Sequence, residues 1–200
     1  MMKNKKILLQ NYMHNFDLPL DNNNTVLKKE VIKNYKVKPM YFPDFAGVII
    51  FGGLMLVMFL VVPLERIRQL GLFGFLFGVL LPFLVIHIMQ NVLGLWMHHR
   101  VDPVYLAEIP VFFAISWLPA VIIFAHFMVQ YRTPVLRFLL LLAAGGGVAG
   151  IQLLLIANNM LTFNNWSLFE SFLLTILIHL GLLGVLHLMG HLNLRDLLEA

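Results

Sequence analysis

Four histidines, His87, His126, His179 and His187, lie inside long apolar stretches of this 200-residue chain. In hydrocarbon an ionisable side chain is costly unless it meets a partner or a cavity. Neutral imidazole ligates haem iron axially, so facing histidines at membrane depth point to haem ligation. Ser167, Ser171, Thr175 and His179 step by four residues, the spacing that aligns side chains along one face of a helix. His87 and Asn91 share that spacing, with Gln90 beside them and His98 expected on the same face. Counting from the expected helix ends places His87 level with His179 near the bilayer midplane and His126 level with His187 at one interface, in tiers about 12 to 18 Å apart. Facing imidazoles in such tiers would hold haem b and pass electrons across part of the membrane.

Acid–base chemistry is the other option the residues offer. Glu108 and Glu170 fall near expected helix starts, with His98 or His99 at a similar depth to act as a partner. Each residue also has a plainer role. Ser167-Leu-Phe-Glu170 has the spacing of a capping box, and a buried histidine that bonds to a neighbouring hydroxyl or amide is a satisfied packing element. His98, His99 and His191 can equally sit at the headgroups.

Several chemistries are excluded at once. The chain has no cysteine, which removes disulfides, thiolate catalysis, iron–sulfur ligation and cysteine-based zinc sites. No dinucleotide-binding glycine turn, P-loop or nucleophile elbow is present, and His187-x-x-x-His191 lacks the glutamate of a zinc protease helix, so no metal site is expected.

The elements that must position these residues follow from hydropathy. The chain is 60% hydrophobic and 12% charged, with a mean hydropathy of +0.85, whereas soluble domains carry roughly a quarter charged residues. Apolar runs at about 45–62, 70–96, 105–129, 135–157 and 168–189 are each close to the roughly 20 residues needed to cross a membrane as a helix. The expected fold is therefore an all-α integral membrane protein: a bundle of five transmembrane helices over residues 43–194, a polar, lysine-rich N-terminal tail over 1–42, and a short tail over 195–200. Asp102-Pro103, Thr133-Pro134 and Ser167 read as starts of the third, fourth and fifth helices. Pro82, Pro110 and Pro119 predict kinks. Gly74-x-x-x-Gly78 and Gly146-x-x-x-Gly150 allow close helix packing, within the bundle or against a second copy.

The tail carries eight lysines (Lys3, Lys5, Lys6, Lys28, Lys29, Lys33, Lys36 and Lys38) against Asp17, Asp21 and Glu30. Such a tail is attracted to an anionic cytoplasmic leaflet, at about 1 kcal/mol per lysine near the surface. It lacks the interleaved aromatics and arginines of a nucleic-acid binder, and no signal-peptide cleavage site is visible. The lysines favour a cytoplasmic N-terminus in the cell membrane, although Arg66, Arg68, Arg132, Arg137 and Arg195 fall on the opposite side.

In size, span number and histidine richness the chain is similar to the five-helix cytochrome b anchor subunits of respiratory oxidoreductases. The resemblance implies haem b and partner subunits. It assigns no ligand, because no segment matches their motifs, the fourth apolar run has no histidine and the lysine-rich tail departs from their pattern. The sequence thus ranks three roles. A non-catalytic membrane subunit or interaction protein, bound to lipid and to other subunits or a second copy, comes first. A haem b anchor using His87, His179, His126 and His187 comes second. A lipid-phase enzyme or small-molecule carrier using Glu108 and His98 comes third.

Overall fold

The computed structural model describes residues 42–131 and 133–191; except for Phe42, the expected lysine-rich tail and the stretch 195–200 lie outside the described residues. Four helices are long and apolar enough to cross a membrane: α3 (Gly71–Val92), α4 (Val111–Gln130), α5 (Pro134–Ala157) and α6 (Leu168–Leu188). An equally apolar helix α1 (Ala46–Val61) follows a 3₁₀ turn at Phe42–Phe45. Its 16 residues reach about 24 Å, short of the roughly 30 Å of a hydrocarbon core. The expected five spans are thus four helices of spanning length and one shorter apolar helix. A short helix α2 (Leu64–Gln69) links α1 to α3.

Two expected boundaries are corrected. Helix α3 ends at Val92, because the chain turns at Gly94 (φ 63°) and continues as strand β1 (Trp96–His98). Strand β1 pairs antiparallel with β4 (Leu161–Phe163), the strand between α5 and α6. Helix α4 starts at Val111 rather than near Pro103, because residues 105–110 form a hairpin, β2 (Tyr105–Leu106) with β3 (Ile109–Pro110). Its turn residues Ala107 and Glu108 both have positive φ, 49° and 66°, as a two-residue type I′ turn requires. Neither residue tolerates this as glycine would, and the end of α3 supports them: Gln90 Nε2 donates to the Glu108 carbonyl at 2.9 Å and Asn91 Nδ2 to the Ala107 carbonyl at 3.0 Å.

The other start signals operate locally. Thr133 is the N-cap of α5 with Pro134 at its first position, and its side chain makes no capping hydrogen bond. At α6 the capping box is complete: the Ser167 amide donates to Glu170 at 2.7 Å and the Glu170 amide donates to Ser167 Oγ at 3.3 Å. Pro82 and Pro119 each sit by an irregularity. The stretch Leu76–Leu80 before Pro82 is wound as π-helix, and α4 breaks at Ser116, three residues before Pro119. Proline leaves a carbonyl without its usual partner, and a wider turn or a break absorbs the mismatch. Pro110 lies in β3, outside the helix.

Helix ends alternate in direction. The start of α1, the end of α3, the start of α4 and the α5–α6 connection meet at one end, joined by the β1–β4 ribbon and by Gly47 N–H donating to the Val101 carbonyl at 2.9 Å. Two apolar clusters close the bundle. One, at this strand-capped end, includes Ile86, Trp96, Val101, Phe113 and Leu155. The other, at the far end, includes Met58, Phe73, Ile122, Met128 and Leu186.

Of the two glycine pairs, only Gly74-x-x-x-Gly78 packs inside the bundle. A methyl group added at Gly78 would fall onto the Leu118 backbone of α4, whereas Gly146 and Gly150 face open space. Gly78→Ala should therefore destabilise by about 1 to 3 kcal/mol. Gly150→Ala should be neutral or stabilising by up to about 1 kcal/mol through helix propensity. Thermal unfolding of the two variants in detergent measures the contrast, and equal effects would contradict this packing.

Candidate functional site

Midway between the two apolar clusters the bundle leaves a cleft of about 370 Å³. Leu54 and Val57 of α1, Pro82 and Ile86 of α3, and Phe113, Trp117 and Phe124 of α4 form one wall. Ala143, Gly147 and Ile151 of α5 with Leu174 and Ile178 of α6 form the other. Val57, Ala143 and Gly147 are exposed on the bundle's outer surface, so the cleft opens sideways between α1 and α5.

The first wall depends on a single carboxylate. Pro110 occupies the N-cap position of α4 and has no capping side chain. Asp102, 96% buried, substitutes from before the hairpin: its Oδ2 accepts the Phe113 amide at 2.9 Å. Its other oxygen lies against Gly47, where any β-carbon would collide with it. The expected cap at Asp102 thus exists, but it acts eleven residues downstream. Burial pushes the Asp102 carboxyl above the usual carboxylate range, opposed by the amides of Phe113 and Phe112. The same corner carries a bidentate ion pair from Arg100 to Asp44, with both contacts at 3.0 Å.

Polar groups line the cleft without any charged side chain among them: His98, Ser116, Gln152, Ser171, Thr175 and His179, with the indole of Trp96. Most are already engaged. Ser116 Oγ donates to the Phe113 carbonyl at 2.6 Å, Thr175 Oγ1 to the Ser171 carbonyl at 2.8 Å, and Trp166 Nε1 to Ser171 Oγ at 2.7 Å. His179 Nδ1 lies 2.8 Å from the Thr175 carbonyl, which can only accept, so Nδ1 carries the proton and Nε2 presents a lone pair. The ring stands edge-to-face on Phe124 at 4.5 Å. Gln152 Oε1 and Trp96 Nε1 are buried and have no partner.

The expected site residues separate. His179 is buried and faces the cleft. His87 is exposed, lies outside the cleft and is 3.1 Å from Asn91. Because α3 ends at Val92, His87 lies five residues from its helix end, whereas His179 lies eleven residues from the start of α6. His126 is half-buried against Phe127, and His187 is exposed in the last turn of α6. Among the described residues no group of three or more His, Asp or Glu side chains gathers as a metal site would need. His98 is not on α3. It lies in β1, fixed by Gln90 Oε1, which accepts from its backbone amide at 3.2 Å and from Nδ1 at 2.9 Å. Glu108 sits on the exposed hairpin turn instead of inside a helix, and Gln90 reaches its backbone carbonyl, not its carboxylate. Sequence reading passed over Gln152 and Trp96. Gln152 carried a signal, as the one polar side chain between Phe138 and Ala157.

Burial, and then the neighbouring His99, pushes His98 down to about 4 from its ordinary 6.5. The folded protein therefore takes up this proton later than the unfolded chain as pH falls. The stability His98 contributes is whole above about pH 6.5 and is lost down to about pH 4, a displacement corresponding to roughly 3 kcal/mol. Asp102, whose folded value is raised, acts with the opposite sign, so the comparison must be made against a His98 variant. Between about pH 7 and about pH 5 the wild type should lose more thermal stability than His98→Asn, and equal losses would contradict a neutral buried His98.

Comparison with protein-family models, with curated proteins and with solved structures finds no match to this chain.

Proposed function

We propose that this chain is a multi-pass membrane protein that binds, without transforming, a small molecule arriving from the lipid phase. The observation that carries the reading is the cleft itself: its mouth faces the acyl chains between α1 and α5, and its interior ends in hydrogen-bonding groups. Ligand pockets have this composition, mostly apolar with a few placed polar groups, and volumes of roughly 300 to 1,000 Å³. The available groups favour binding over chemistry. Glu108, the acid of the enzyme alternative, is exposed on a turn, and no carboxylate lines the cleft. The haem alternative pairs His179 with His87, and His87 lies outside the cleft, whose other imidazole is His98. In this reading the protein resides in the cell membrane with its N-terminus cytoplasmic, and the open Gly146 and Gly150 face is where another subunit or a second copy would pack.

Gly147→Phe tests the reading without disturbing the fold, because Gly147 lines the cleft and meets nothing within 4 Å. Protein purified in detergent from its membranes should release a lipophilic small molecule on solvent extraction, near one per chain by mass spectrometry, and Gly147→Phe should release about tenfold less at unchanged thermal stability. Indistinguishable extracts would exclude the cleft as a binding site.

A further inference from the structure

We propose that the cleft takes the hydrocarbon chain of a membrane lipid end first and leaves the polar head outside the mouth, so that the ligand is recognised by its alkyl chain and not by its head group. The proposal rests on the binding reading above and names the part of the ligand that is held. The polar residues along the cleft spend their hydrogen bonds on the protein itself. Ser116 and Thr175 donate to carbonyls of their own helices, Ser171 Oγ accepts from Trp166, His98 bonds Gln90 and His179 bonds the Thr175 carbonyl. Trp96 Nε1 and Gln152 Oε1 have no partner, but neighbouring atoms cover both, so neither is presented to a molecule in the cleft. What remains to line the space is largely carbon, from residues such as Leu54, Val85, Phe113, Trp117, Leu174 and Ile178.

Charge argues the same way. No charged side chain lines the cleft, so a phosphate, carboxylate or ammonium head brought inside would find no counter-ion, and any polar head would give up its water for little in return. A methylene chain has no such bonds to lose. Lipid tails are as apolar as this lining, so the chain is held by packing rather than by escape from water. The opening between α1 and α5, at Val57, Ala143 and Gly147, leaves the head group a place outside, while the chain lies between α4 and the small residues Ala143, Ala144 and Gly147 of α5.

The tryptophans report which end of the ligand enters. The protein has three: Trp96 and Trp117 line the cleft, and Trp166 packs on Trp96. Bromine quenches indole fluorescence on contact, so a bromine placed at the chain end or beside the head marks the end that is inside. The full-length protein is held in a sterol-based detergent, which has no alkyl chain of its own. It is titrated with bromoalkyl amphiphiles of one chain length that bear a hydroxyl, sulfate or trimethylammonium head. The proposal expects saturable quenching by every chain-end bromide, with midpoints in detergent mole fraction within about tenfold of one another, and no saturable quenching when the bromine sits beside the head. Gly147→Phe, which puts a ring into the cleft, should raise the chain-end midpoints by about tenfold or more, and an unchanged titration would overturn the proposal. Saturable quenching by the head-side bromides, or chain-end midpoints spread by more than about tenfold across the heads, would overturn the end-first assignment and leave the binding reading in place. Quenching that rises linearly with mole fraction for every compound would overturn the binding reading itself.

Discussion

The Asp102 carboxylate holds one wall of the cleft in place, and the rest of the bundle is arranged around that contact. Helix α4 begins after Pro110, a residue that can offer its amides no cap, so an acceptor must come from elsewhere. Asp102 supplies it from before the hairpin, and its second oxygen fits against α1 only because position 47 is glycine. One side chain therefore sets the start of α4, the approach of α1 and the path of the hairpin between them. Removing it would leave a buried amide unpaired, at a cost of about 1 to 3 kcal/mol, and would free α1 from α4.

The cleft follows from how the two apolar clusters are distributed. Each ties helices together at one end of the bundle, and between them α5 and α6 pack on each other rather than deeply on α4. Small residues on α5, Ala143, Ala144 and Gly147, face that gap and do not fill it. In a bilayer there is little hydrophobic penalty for an open apolar seam, because lipid chains solvate it, and helix contact depends on packing instead. The polar residues of α6 fit the same logic. Thr175 and His179 donate hydrogen bonds to backbone carbonyls of their own helix, which satisfies these groups without a partner helix.

What could be read from the sequence was whatever depends on near neighbours. The capping box at Ser167 and Glu170 and the Thr133-Pro134 start are local chemistry, and both stand where their spacing put them. Asp102-Pro103 carries an equally good local signal, yet the helix it caps starts eight residues past that proline, because a strained Ala107-Glu108 turn intervenes. No propensity rule favours alanine and glutamate with positive φ; only the amide groups of Gln90 and Asn91, arriving from α3, make the turn tenable. That misreading displaced Glu108 from helix to loop, and the separate turn at Gly94 moved His98 from α3 to a strand. The face of α6 bearing Ser171, Thr175 and His179 was legible from its four-residue steps. The partner wall was not, since Gln152 acquires meaning only when α5 is placed opposite α4.

The most direct measurement of this account is an experimental density map of the full chain in lipid nanodiscs. The account predicts α4 and α5 held apart at mid-depth, with elongated non-protein density occupying the cleft between them. Helices α4 and α5 closed on each other, with Gln152 bonded directly across the gap and no such density, would contradict it.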